Sequence, residues 1–119
     1  MKTMTINWKK HQKWYISLTD DTAFKFIPPY VQKKKRKWVN CILFLEQDIV
    51  GNRKIVLPND LRWLGGEIPE FSSEAKVVDA VTLYYPRRTE IYASATIGLT
   101  KMPKMYRYNS ISPVPEIIY

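Results

Sequence analysis

Cysteine, histidine and glycine are scarce in this sequence, and each scarcity excludes a class of protein. The chain has one cysteine, Cys41, and one histidine, His11. They cannot build a disulfide framework or supply the four ligands of a structural zinc site, so we expect no bound metal and a reducing compartment. Of the four glycines only Gly65 and Gly66 are adjacent, which excludes a glycine-rich phosphate loop. No cofactor is therefore expected.

Long apolar runs are also missing. No stretch approaches the roughly 18 to 20 apolar residues of a membrane-spanning helix. The start, MKTMTINWKK, lacks the apolar segment of a secretion signal. We therefore expect an intracellular protein without a membrane partner, in the cytoplasm or, in a eukaryotic host, the nucleus. The length of 119 residues and the 45% hydrophobic content predict a single domain, residues 1–119, with one core.

Residues suited to catalysis are few. His11 lies among lysines, and Cys41 lies in the most apolar part of the chain, where a thiol is usually inert. The one enzymatic alternative is a metal-dependent nuclease built from Asp60, Glu74 and Lys76, because a Glu-x-Lys pattern suits metal binding and water activation. The segment before Glu74 is not the aliphatic strand that would hold such a motif rigid. No catalytic residue is predicted, and we expect a protein that is not an enzyme.

Positive charge is concentrated in the first third of the chain. Residues 1–37 contain ten Lys and Arg against two acidic residues, whereas residues 38–119 contain nine of each. The whole net charge of +8 therefore belongs to the first segment. Such an asymmetry predicts a polyanionic partner.

Aromatic residues accompany these cations. Lysine and arginine neutralise phosphates, and an aromatic face stacks on a base, so the combination suits nucleic acid, either DNA or RNA. The alternative is that the rings form the core while the lysines cover the opposite face. Our main hypothesis is a non-enzymatic nucleic-acid-binding protein. Its predicted binding residues are Lys9, Lys10, Lys13, Lys33, Lys34, Lys35, Arg36, Lys37, Trp8, Trp14, Trp38, Arg87 and Arg88.

The segment from Gln32 to Val39, QKKKRKWV, has five consecutive cations. It resembles a nuclear-import signal, and it also suits a solvated loop. We favour a phosphate-contact loop, because adjacent like charges repel each other in a free protein and release counterions opposite phosphates. The rival hypothesis for the whole chain is a structural or inhibitory interaction module, such as a subunit of a viral, phage-type or ribonucleoprotein assembly, that docks its basic face on an acidic protein surface. Oligomeric state is not predicted.

Apolar residues alternate with polar ones along most of the chain, as in half-buried strands. The segment WVNCILFL, residues 38–45, is nearly all apolar and predicts a central strand covered on both faces. Strands at 81–85 and 90–97 flank a hairpin turn that contains Arg87 and Arg88. Residues 59–64 have capping residues in front and Gly65-Gly66 behind, which predicts one or two helical turns. The tail from Pro103 is expected to be an extended chain packed on a surface.

The predicted fold is mainly β, with α+β possible: a small antiparallel barrel or rolled sheet of about six or seven short strands with one short helix. In architecture this resembles an oligonucleotide-binding barrel. Locally, residues 53–65, RKIVLPNDLRWLG, resemble the strand-proline-helix signature of AbrB-type swapped-hairpin DNA-binding domains. Lys54 stands where that family has arginine, a residue is missing before the Leu-Gly pair, and the second hairpin is not evident.

Overall fold

The computed structural model describes residues 1–29, 39–87, 90–99, 106–108 and 115–117, the last two ranges and residues 86–87 by their backbone alone. Every regular element in these ranges is a β-strand, which confirms the mainly β class. None of these ranges contains a helix long and apolar enough to cross a membrane. In chain order the strands are β1 Lys2–Asn7, β2 Lys13–Leu18, β3 Thr22–Ile27, β4 Val39–Gln47, β5 Ile55–Val56, β6 Arg62–Trp63, β7 Val78–Arg87, β8 Glu90–Leu99, β9 Tyr106–Tyr108 and β10 Pro115–Ile117.

Strands β1 to β6 alternate between two sheets. β1, β3 and β5 form a three-stranded sheet in the order β1-β3-β5, and the other sheet has the order β2-β4-β7-β8-β6. β1 pairs in parallel with β3, and β2 pairs in parallel with β4. The first four strands therefore wind as a coil of two turns, and each turn contributes one strand to each sheet.

The expected antiparallel barrel is not confirmed. Within the described ranges the strands form separate sheets that do not close, and four of the strand pairs are parallel. The short connections at residues 8–12 and 19–21 have the polar composition of hairpin turns, but each carries the chain from one sheet to the other. A strand shows the same apolar alternation whether a hairpin or a crossover follows it, so the sequence pattern does not distinguish the two.

The main core lies between these two sheets. Alternate residues of every long strand point into it, as the period-two pattern predicts. Cys41, predicted as a core residue, is fully buried there. The core includes Met4, Ile6 and Phe24 from the three-stranded sheet, Trp8 from the turn after β1, and Trp14, Ile16, Leu18, Cys41, Leu43, Leu45, Val81 and Leu83 from the five-stranded sheet.

β4 is a central strand, as predicted, but only its inner face is fully buried. Leu43 and Leu45 enter the main core. Phe44 points the other way and forms a second cluster with Val78 and Ala80 on the outer face of the five-stranded sheet. β4 is also flanked by β2 on one side and by β7 on the other. The outer face is covered only in part, because Asn40 is exposed and Ile42 and Glu46 are half-buried there.

Residues 59–64 do not form the predicted helix. Asn59 and Asp60 lie in a turn, and β6 then pairs in parallel with β8. Leu61 is buried and Trp63 is half-buried, whereas Arg62 between them is exposed. This two-residue period is that of a strand, because the apolar side chains of this segment face one sheet. Tertiary packing therefore overrides the capping pattern. β5 and β6 also lie in different sheets, so residues 53–65 do not build a swapped hairpin.

The predicted hairpin at residues 81–97 is present as β7 and β8, which pair antiparallel. The tail is more regular than expected. β9 and β10 pair antiparallel, with Pro115 opposite Tyr108, and β9 lies against β2. The rest of the tail, to which the prediction of an extended chain packed on a surface also applied, lies outside the described residues.

Candidate nucleic-acid interface

The strand ends that flank the predicted cations lie at one end of the molecule. Asn7, the last residue of β1, is in parallel register with Ile27, the last residue of β3. Lys13, the first residue of β2, lies opposite Ile42 near the start of β4. β1 and β3 therefore end, and β2 and β4 begin, at the same end of the two sheets.

The turn from β7 to β8 leaves from this end as well. β7 is antiparallel to β4 and pairs Tyr85 with Val39, so β7 ends where β4 begins. β8 then starts at Glu90, opposite Arg87. We call this end of the molecule the basic end. The connections that leave from it are residues 8–12, 28–38 and 88–89.

Three of the predicted cations of the basic end have described side chains. Lys9 and Lys10 lie in the turn between β1 and β2, Lys13 is the first residue of β2, and all three are exposed. The ion pairs in the described part of the chain, Arg53 with Asp48 and Arg62 with Glu90, involve none of these lysines. The three ammonium groups therefore face solvent without a carboxylate partner among the described residues.

Hydrogen bonds hold this connection, residues 8–12, which together with Lys13 we call the basic turn. The Asn7 side-chain Oδ1 accepts from the backbone amide of Lys9 at 3.1 Å, and the Asn7 carbonyl accepts from the amide of Lys10 at 3.2 Å. The Trp8 amide donates to the Ile27 carbonyl at 3.2 Å, which ties the turn to β3. The basic turn is therefore an ordered support for its lysines.

Trp8 and Trp14, predicted to stack on bases, lie in the core instead. Their side chains are 1% and 6% exposed. The ring of Trp8 packs against that of Tyr85 at a centroid distance of 6.1 Å. The indole Nε1 of Trp14 donates to the His11 carbonyl at 2.9 Å. The period of two along β1 and β2 turns both rings inward, so the alternative hypothesis of core rings is correct for these two residues, which anchor the basic turn on either side.

Charges of both signs occupy the other end of the two sheets. The turn from β2 to β3 contains Asp20 and Asp21, and Asp21 Oδ1 accepts from the Lys54 amide at 2.8 Å. Asp48, just after β4, forms an ion pair of 2.9 Å with Arg53. Cations and carboxylates are mixed at this end, in contrast to the basic turn.

Acidic residues approach the basic end along the β6 and β8 edge of the sheet. Glu90 Oε1 pairs with Arg62 Nη2 at 2.7 Å, and Glu90 Oε2 accepts from the Tyr92 hydroxyl at 2.9 Å. Asp60 is exposed in the turn before β6. Lys13 lies on β2, at the opposite edge of the five-stranded sheet, so these carboxylates are separated from the basic turn by the width of the sheet.

Several predicted contact residues lie outside the described residues. These are Lys33, Lys34, Lys35, Arg36, Lys37, Trp38 and Arg88. Arg87 is described by its backbone alone, as the last residue of β7. The chain that carries the lysine run leaves the described structure after Pro29 and returns at Val39, both at the basic end.

The residues of the alternative nuclease site do not lie together. Asp60 precedes β6, near the start of β8 at the basic end. Glu74 and Lys76 lie in the turn packed beside Gly51, at the opposite end of the five-stranded sheet, where the Lys76 amide donates to the Gln47 carbonyl. The described residues also contain no group of three His, Cys, Asp or Glu side chains placed to hold a metal ion. The predicted carboxylate pair is thus not formed.

A buried polar cluster at that opposite end was not predicted from the sequence. Asp79 is 2% exposed, and its carboxyl group accepts from the Ser72 amide and hydroxyl, both at 2.7 Å, and from the Gly98 amide at 2.9 Å. Gln47 joins the neighbouring loops through bonds to Arg53 and Ser72. An acidic residue inside the apolar run VVDAVTL was the one sequence signal for this cluster. The hydrogen bonds of Asp79 and Gln47 hold the neighbouring loops, at Arg53 and Ser72, in place.

Comparisons with protein-family models, with curated proteins and with solved structures give no match for this chain.

Proposed function

We propose that this chain is a non-enzymatic nucleic-acid-binding protein whose basic end contacts the phosphate backbone. The observation that supports the proposal is the shared end of the three basic connections. Residues far apart in sequence leave the two sheets there, and Lys9, Lys10 and Lys13 are exposed beside them. The described strand ends that flank these connections therefore lie together with the three lysines, where a single polyanion can meet the basic turn.

Energetically, the proposal depends on counterion release. Clustered cations repel one another in the free protein, and phosphates both neutralise them and free their own condensed ions. Each lysine that contacts duplex DNA contributes about 0.9 to the slope of log affinity against log salt concentration. Binding by the basic end is thus expected to be strong at low salt and to weaken steeply as salt rises.

The direct test is a titration of fluorescently labelled DNA and RNA oligonucleotides, followed by anisotropy at several salt concentrations. The basic-turn variant carries Lys9→Ala, Lys10→Ala and Lys13→Ala. A matched control carries Lys2→Ala, Lys54→Ala and Lys76→Ala, which remove the same charge from the other end of the sheets. We expect the first variant to lose affinity and salt dependence and the control to retain both.

Two outcomes would overturn the proposal. Equal losses in the two variants would show that net charge acts without regard to position, and absence of binding by the natural chain at low salt would remove nucleic acid as the partner. In the second case, capture from the native host with the chain as bait tests the rival interaction module. The rival hypothesis predicts that the natural chain captures a specific acidic protein and that the basic-turn variant does not.

A further inference from the structure

We infer that the basic end binds single-stranded nucleic acid by stacking bases on Tyr84 and Tyr92, and this inference rests on the proposed function. Trp8 and Trp14 cannot provide the stacking surface, because both are buried in the main core. Tyr84 and Tyr92 are only half-buried, and they lie on neighbouring strands of the five-stranded sheet. We call this pair the tyrosine platform.

The tyrosine platform lies on the outer face of the five-stranded sheet, at the basic end. Leu83 and Ala93 belong to the main core, so the platform residues next to them in sequence point the opposite way. The two tyrosines are directly opposite each other in the register of β7 and β8. Tyr84 is also opposite the exposed Asn40, near the start of β4. The platform is therefore a row of cross-strand neighbours beside the point where β4 begins.

Hydrogen bonds of the two hydroxyl groups hold the rings along the sheet. The Tyr84 hydroxyl is 3.2 Å from Ser94 Oγ, and Ser94 lies diagonally across on β8. The Tyr92 hydroxyl donates to Glu90 Oε2 at 2.9 Å, two residues back on the same strand. A ring whose tip bonds to a neighbour on the same face lies along the sheet and turns one of its own faces outward. Stacking on rings that are already ordered costs little side-chain entropy.

Cations lie on both sides of the tyrosine platform. Lys13 is exposed on the same outer face, because its neighbour Trp14 belongs to the core. β2 and β7 flank β4, so Lys13 is about 10 Å from the platform across two strand spacings. On the other side, the exposed Arg62 is opposite Tyr92 in register and pairs with Glu90, which offsets the charge of that carboxylate. The two rings therefore lie between cations that can hold the phosphates beside stacked bases.

Half-buried rings between cations favour a single strand. Any base can stack on an aromatic face, and each stacked base adds about fivefold or more to the affinity. In a duplex the bases are paired and stacked on one another, so they do not reach the rings without being extruded. The basic end should therefore bind single-stranded DNA or RNA more tightly than duplexes of equal length.

The test measures binding by fluorescence anisotropy at low salt. The labelled ligands are single strands of DNA and of RNA, the corresponding duplexes, and a single strand of equal length that lacks its bases. We expect the natural chain to bind a normal strand at least about fivefold more tightly than the strand without bases. The two normal strands show whether DNA, RNA or both supply the bases.

Substitutions of the tyrosines test the platform itself. Tyr84→Leu and Tyr92→Leu should each lose about fivefold or more in affinity for a normal strand, and little for the strand without bases. Tyr84→Phe keeps the ring and should bind like the natural chain. The matched control is Phe26→Leu, which removes a half-buried ring from the inner face of the other sheet and should leave both affinities unchanged.

The possible results separate the inference from the proposed function. The inference is wrong if the natural chain binds the strand without bases, or a duplex, as tightly as a normal single strand. That comparison needs no substitution, so it decides the matter even where a leucine variant does not fold. Unchanged single-strand affinity in both leucine variants would also overturn the inference. In each of these cases nucleic-acid binding stands, whereas the absence of binding to every ligand would refute the proposed function as well.

Discussion

The indole Nε1 of Trp14 donates a hydrogen bond of 2.9 Å to the backbone carbonyl of His11 and so closes the basic turn. Trp14→Phe keeps an aromatic ring in the core but removes this donor. We expect a loss of about 1–2 kcal/mol in the free energy of unfolding, from the bond and from the smaller ring. Urea denaturation measures it.

Trp63→Phe is the matched control for that substitution. Trp63 packs against Phe71 at a centroid distance of 6.3 Å and has no indole hydrogen bond among the described contacts. Its replacement removes a similar volume without breaking such a bond. If the two variants lose the same stability, the indole bond of Trp14 does not stabilise the turn.

The buried carboxyl group of Asp79 is expected to be among the most sensitive polar positions of the chain. Asp79→Ala leaves the amides of Ser72 and Gly98 without their acceptor inside the protein, and each unpaired buried group costs about 1–3 kcal/mol. We expect a loss of about 3 kcal/mol or more, and a smaller loss for Asp79→Asn, which keeps one acceptor oxygen.

The control for Asp79 is Asp60→Ala, which removes an exposed carboxyl group from a turn. Its effect should stay within about 0.5 kcal/mol. Thermal or urea unfolding of the three variants tests the comparison. An effect of Asp79→Ala no larger than that of Asp60→Ala would show that the polar cluster does not stabilise the fold.

Gly51 is expected to tolerate no side chain. Its backbone φ is +75°, and an added Cβ would lie 2.8 Å from the Ser73 carbonyl oxygen and 2.9 Å from the Ala75 amide nitrogen. Both neighbours are backbone atoms, so the loop itself has to move. We expect Gly51→Ala to cost about 2–4 kcal/mol, as the sum of left-handed backbone strain and overpacking.

Gly65→Ala separates these two causes. Gly65 also has a positive φ, +94°, but an added Cβ there meets no atom within 4 Å. This variant should lose only about 1 kcal/mol, from backbone strain. Equal losses at the two glycines, measured by urea denaturation, would mean that the close approach at Gly51 is relieved without cost.

Asp48 should make stability depend on acid pH. The hydrogen bond from the Arg53 side chain, followed by that from the Gly51 amide, lowers the pKa of its carboxyl group. A carboxyl group with a lower pKa in the folded state stabilises the protein above its unfolded pKa, about 3.9, and loses that contribution as pH falls through the folded pKa. The urea midpoint should therefore fall less below about pH 4 in Asp48→Asn than in the natural chain.

Glu67→Gln is the control, because Glu67 is an exposed carboxyl group outside the described ion pairs. Its pH profile should follow that of the natural chain. Identical acid profiles for Asp48→Asn and the natural chain would contradict the assigned role of the Arg53 pair.

Cys41 should be unreactive in the folded protein. The thiol is fully buried, and burial raises its pKa to about 12, so it stays protonated near pH 8. A chromogenic disulfide reagent should label none of the native protein and one thiol per chain in urea. Because Cys41 is the only cysteine, the signal has a single source. Rapid labelling of the native protein would contradict the burial of β4.

The comparison of sequence and structure is most instructive at the tryptophans. Alternation predicted that Trp14, Ile16 and Leu18 share one face of a strand, and they do. It could not show whether that face was the core or a binding surface, because a strand's pattern is the same in both cases. The partner strands decided it: β1 and β2 lie in facing sheets, and their common face is enclosed.

The failed helix at residues 59–64 has a related cause. Turn and capping residues describe local preferences, and this segment holds both the i, i+3 spacing of a helix, at Leu61 and Leu64, and the i, i+2 spacing of a strand, at Leu61 and Trp63. In the folded chain Leu61 and Trp63 pack into the core on one side of the segment, and β8 pairs with its backbone. A partner formed 30 residues later in the chain leaves no trace in the local pattern.

The sequence alone determined the strand-rich class, the central position of β4, and the confinement of the excess charge to the first third. Those properties depend on composition and on neighbours in the chain. Only the tertiary structure decided that the strands wind between two sheets, that Trp8 and Trp14 face inward, and that the basic connections leave from one end. Those properties depend on strand pairing between distant residues, and the pairing energy is set by the whole core.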